Sequence, residues 1–116
     1  MLDSLREVVR NRTTVEERLR AALGAYLETF ADKPHAAYLW FEYWVAVGRR
    51  GNTAAITSML ADVEAFLDEL LPGEAQLGAR DVLSWLLGTV VQQQARPRSA
   101  ADLDAELDRF VRVLAG

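Results

Sequence analysis

A single histidine, no cysteine and one carboxylate inside an aromatic run are the residues from which any chemistry in this sequence would have to be built. His35 falls in the first turn after Pro34. It has no second histidine or cysteine with which to complete a metal set or a nucleophile triad. It reads as an exposed side chain or a local hydrogen-bond donor. No glycine-rich phosphate loop, nucleophile elbow or metal-ligand spacing occurs. The carboxylate, Glu42, has two readings. It enters a pocket and selects a cation with help from neighbouring aromatic faces, or it emerges at the polar edge of its helix. The edge is favoured, because an unpaired buried carboxylate is costly. The expectation is therefore a protein that is not an enzyme, with no catalytic residue, no metal ligand and no cofactor.

What remains is the chemistry of recognition. The stretch from His35 to Gly48 holds five of the ten aromatic residues and one charged residue, Glu42. At about 100° per residue, Trp40, Phe41, Trp44 and Gly48 share one side of a helix, while Tyr38, Leu39, Tyr43, Val45 and Val47 cover most of the rest. A helix apolar nearly all round is expected at the centre of a small bundle, surrounded by the others. Aromatics at helical spacing serve either as packing or as the lining of a pocket. Trp40 and Trp44, one turn apart, are hard to bury in a small bundle without voids, and their N–H groups need partners. Such a lining suits a drug-sized organic molecule.

The elements that must position these residues are helices. Leu2, Leu5, Val8 and Val9 make a short amphipathic helix, Met1 to Arg10. A capping box, Thr13 with Glu16 or Thr14 with Glu17, starts the next one, about Val15 to Ala31, whose stripe is Val15, Leu19, Ala22, Leu23, Tyr26 and Phe30. Asp32-Lys33-Pro34 separates it from the aromatic helix, which runs to about Arg50. Gly51 then stops the chain, and Asn52 or Thr53 caps a helix to Leu71 with Ile56, Met59, Leu60, Val63, Phe66, Leu67 and Leu70 inward. After Pro72-Gly73 and a loop, Ala79 to Ala95 carries an apolar arc too wide for one interface: Val82, Leu83, Leu86, Leu87, Val90 and Val91, with Trp85 outside it. Ser99 with Asp102 caps the last helix, Ala100 to Leu114, which buries Leu103, Leu107, Phe110, Val111 and Leu114. No segment alternates with period two. The fold class is all-α, an antiparallel bundle of about six helices forming one domain over residues 1–116.

Bulk properties narrow the partners. The net charge of −4 and the dispersal of the basic residues (Arg10/Arg12, Arg49/Arg50 and Arg96/Arg98 at helix ends) argue against nucleic-acid binding by this chain alone. No signal peptide is expected, and the longest uncharged run, Val82 to Ala95, is short of the ~20 residues of a membrane span. Without cysteine, a cytoplasmic location is expected. Hydrophobic content of 51% is high for so small a domain and suggests apolar surface shared with a partner or ligand. Either the fifth helix is buried within a monomer, or the last two helices meet their copies across a two-fold axis. The Ser84/Gly88 groove favours the dimer.

Laid out in this order, the chain resembles the C-terminal regulatory domain of the TetR family of bacterial transcriptional regulators. Tyr38 to Arg50 is similar to that family's apolar-aromatic helix ending in Ala and basic residues. Ile56 to Leu71 is similar to the long helix after it, Asp81 to Val91 to the penultimate helix, and Ser99 to Leu114 to the closing one. Thr13 to Phe30 matches the helix that precedes them. The resemblance implies a small lipophilic or aromatic effector held among the middle helices. Its pocket candidates are Tyr26, Phe30, Tyr38, Trp40, Phe41, Trp44, Met59, Phe66 and Trp85. It also implies a homodimer through the last two helices, with Ser84, Leu87, Gly88, Val91, Leu103, Leu107, Phe110 and Leu114 as interface candidates. The family's helix-turn-helix head has no counterpart here, so DNA contact is expected only through such a head. The chain is expected to be part of a regulator, or a headless relative that works as a non-enzymatic dimerisation module.

Overall fold

A computed structural model of the chain describes residues 2–31, 34–51 and 53–116. It has six helices: α1 (Leu2–Val9), α2 (Val15–Ala31), α3 (Pro34–Arg49), α4 (Ala54–Leu70), α5 (Ala79–Ala95) and α6 (Ala100–Ala115). No strand occurs among the described residues. No helix among them is long and apolar enough to cross a membrane.

Local chemistry explains where the helices begin and end. Of the two possible capping boxes before α2, Thr14 is used: its Oγ1 accepts from the Glu17 N–H at 3.1 Å. Ser99 Oγ likewise accepts from the Asp102 N–H at 3.1 Å and starts α6. At the head of α5 the Gly78 N–H donates to Asp81 Oδ2 at 2.9 Å, so the acidic residue in the first turn holds the chain from behind. Gly51, at φ 74°, turns the chain after α3 in the left-handed region open to glycine. Thr53 occupies the cap position of α4, but its side chain makes no capping hydrogen bond. The alternative cap, Asn52, and the break at Asp32-Lys33 lie outside the described residues. Leu71, before Pro72, takes an extended conformation with ψ 142° and ends α4.

The core gathers on α2, which packs against α1, α3, α4, α5 and α6. Leu19, Ala22, Leu23, Tyr26, Leu27 and Phe30 are all buried on it. They meet Leu5 from α1, Val63, Phe66, Leu67 and Leu70 from α4, Val82, Leu83, Leu86 and Val90 from α5, and Leu107, Val111 and Leu114 from α6. Small residues let neighbours come close to α2. A Cβ placed on Gly24 would stand 3.6 Å from Leu107 Cδ2, so the α6 leucine packs beside this part of α2. Arg20 adds polar clamps on the same side, paired with Asp104 at 3.2 Å and with Asp108.

This corrects the expected centre of the bundle. The aromatic helix α3 has no buried residue among those described; it lies against α2 and α5 at the periphery. Tyr38, Leu39, Tyr43 and Val45 are 46–65% exposed. The physical reason is that apolarity all round states what a helix can bury, not what covers it. Bulky Trp and Tyr side chains on every face keep neighbours at a distance, whereas the Ala and Gly of α2 admit them.

Candidate functional site

The inward side of α3 is Trp40, Phe41 and Trp44, each half-buried. Their rings contact one another at right-angled or tilted geometry: Trp40–Trp44 centroids 5.7 Å apart and Phe41–Trp44 5.8 Å. Tyr43 stacks on Trp40 from the outside at 5.6 Å. Between α3 and its neighbours lies a cavity of about 830 Å³, open to solvent. It is lined by Trp40 and Trp44 of α3, Tyr26 and Phe30 of α2, and Met59, Leu60 and Val63 of α4. Leu83 and Leu87 of α5 and Leu2 of α1 complete the apolar lining. The volume lies within the range of small-molecule sites.

Polar groups are few. Thr29, Ser58, Asp3 and Asp62 line the cavity, and all four are exposed. The Tyr26 phenol is pushed up to about 12 by burial, so it stays protonated throughout the neutral range. Tyr26 also contacts Phe30, with ring centroids 5.4 Å apart. The Trp44 indole Nε1 is buried and has no hydrogen-bond partner among the described residues. No group of three or more His, Cys, Asp or Glu is placed to hold a metal among the described residues.

Of the nine aromatic and methionine positions read from the sequence, Tyr26, Phe30, Trp40, Trp44 and Met59 come together around this cavity. Four do not. Tyr38 is 53% exposed on the outer face of α3. Phe41, on the inner face, packs against the core and Trp44 rather than lining the cavity. Phe66 is 1% exposed, deep in the core beneath the Arg6 guanidinium, which lies 5.4 Å from its ring centroid. Trp85 faces the other way and stacks on Phe110 of α6 with centroids 4.3 Å apart. Glu42 lies on the exposed side of α3, the edge position favoured by the sequence. Asp3 and Asp62 were missed. An acidic residue at the start of a short amphipathic helix and another on the back of α4 read as solvated faces, and only the meeting of α1 with α4 around the cavity gives them a common address.

The expected two-fold face divides similarly. Leu107 and Leu114 are 4% and 1% exposed inside the single chain, so they have no surface left for a partner. Leu87 lines the aromatic cavity, and Leu103 lines a separate groove beside Gly24 and Leu27 of α2. Ser84, Gly88, Val91 and Phe110 do reach the outer side of α5 and α6. With Trp85, Arg109 and Val113, three of them (Ser84, Gly88 and Phe110) border a groove of about 500 Å³. Val91 and Val113 are 47% and 64% exposed, and a Cβ at Gly88 would meet nothing within 4 Å. The turn between the two helices is fixed by Arg98, whose Nε donates to Glu106 and whose backbone N–H donates to Gln93 Oε1 at 3.0 Å.

Comparison of the chain with protein-family models, with curated proteins and with solved structures gives no match.

Proposed function

We propose that this chain is the ligand-sensing and dimerisation domain of a TetR-like transcriptional repressor, acting in the cytoplasm. The observation that carries the reading is the aromatic cavity framed by α1 to α5, into which five of the residues read as pocket candidates project. A lipophilic effector lies against Trp40, Trp44, Tyr26 and Phe30. Leu2 and Asp3 tie α1 to the same cavity, so occupancy favours one seating of α1 over another. In this scheme α1 leads toward a DNA-reading head, and the shift in its seating is the signal. The outer sides of α5 and α6, around Gly88, Val91, Phe110 and Val113, meet their copies across a two-fold axis.

The test is a thermal-shift and tryptophan-fluorescence screen of lipophilic compounds. A compound present at about 100 times its Kd stabilises the fold by about 2.7 kcal/mol. It also changes the emission of Trp40 and Trp44. A broad lipophile panel that neither quenches nor stabilises refutes the sensing role. A second reading, a dimerisation module without a ligand, draws on the exposed Val91 and Val113. Sedimentation separates the two: a dimer that no compound stabilises supports the second, and a monomer at micromolar concentration removes dimerisation from both.

A further inference from the structure

The charged residues lining the aromatic cavity, among those described, are both carboxylates, Asp3 from α1 and Asp62 from α4. Neither forms an ion pair with a described residue, although Arg20, Arg98, Arg10 and Arg6 all do. Arg6, one turn along α1 from Asp3, is turned away, over the Phe66 ring and 3.6 Å from Glu69. The same lining includes Trp40 and Trp44, the ring type that attracts a cation most strongly. Every one of these features favours one sign of charge. Among the described residues lining the cavity, a bound anion would meet two carboxylates and no cationic side chain. A neutral molecule would gain the apolar contacts and nothing from the aspartates.

We propose that the cavity selects lipophilic organic cations, with the aromatic or alkyl body against Trp40, Trp44 and Phe30 and the positive charge held by Asp3 and Asp62. The proposal rests on reading the cavity as a ligand site and adds the chemical class of the ligand. Glu42, the carboxylate embedded in the aromatic run, has no part in it, because it faces solvent. The charge preference arises from two helices far apart in sequence. Since Asp3 belongs to α1, a cation bridging it to Asp62 also draws α1 toward α4.

The tetraphenylphosphonium cation and the tetraphenylborate anion are nearly the same shape and opposite in charge, so they isolate the electrostatic contribution. Binding of each to the full chain is followed by tryptophan quenching and by isothermal calorimetry. The cation is expected to bind at least about tenfold more tightly than the anion, the preference shrinking as salt is raised. In the Asp3→Asn/Asp62→Asn double variant that preference falls by about tenfold, as expected for two partly solvated charges near the ligand. A Glu42→Gln/Asp68→Asn variant changes net charge equally at exposed positions outside the cavity and keeps the preference. If both probes bind and the aspartate variant behaves like the control, the cavity is a ligand site without selection for cations and the proposal fails alone. If neither probe binds, the ligand-site reading fails and takes the proposal with it. Circular dichroism of both variants, whose changed side chains are exposed, checks that the fold is kept.

Discussion

If α2 rather than the aromatic helix is the centre of this bundle, two leucines distant in burial must differ sharply in what their truncation costs. Leu23 on α2 is 1% exposed, and Leu39 on α3 is 65% exposed. Leu23→Ala removes buried methyl groups and leaves a void among α2's neighbours, for a cost of about 2–5 kcal/mol. Leu39→Ala removes groups that are mostly in water already, and alanine's better helix propensity offsets part of the rest, so the change stays within about 0.5 kcal/mol. The total stability of such a domain is about 5–15 kcal/mol, so the first variant loses a large share of it and the second almost none. Urea unfolding followed by far-ultraviolet circular dichroism measures both, with the midpoint falling for Leu23→Ala at unchanged slope. Repeating the Leu39→Ala titration over about a hundredfold range of protein concentration separates loss of a partner contact from loss of core packing. Equal destabilisation by both substitutions, independent of concentration, would refute the arrangement and restore α3 to the interior.

Two further outcomes follow from single residues. Burial pushes the Tyr26 phenol from its ordinary value of 10.0 up to about 12 in the folded chain, so above pH 10 the unfolded chain releases its proton first and stability falls as pH rises toward 12. The loss approaches about 2–3 kcal/mol, and Tyr26→Phe should flatten that alkaline slope in denaturation curves measured across the same window. Ser99→Ala removes the side chain that caps α6 and should cost about 1 kcal/mol, read as a lowered urea midpoint.

The sequence by itself determined the helices. The spacing of apolar residues, the caps at Thr14 and Ser99, the glycine at position 51 and the prolines at 34, 72 and 97 are local signals, and a helix is closed by hydrogen bonds four residues apart. Five of the cavity-lining side chains were legible for the same reason, since one helical face can be read from periodicity. Tertiary structure alone decided which helix the others surround. An apolar helix satisfies the pattern on either side of the bundle, and here α2 gathers the core while α3 has no buried residue among those described. It likewise decided that Leu107 and Leu114 are spent inside the chain while Val91 and Val113 are not, because the width of an apolar arc does not say which part faces a neighbour. The partnership of Asp3 with Asp62 was beyond any local reading. Only the packing of α1 and α4 around one cavity brings these two surface carboxylates into the same lining.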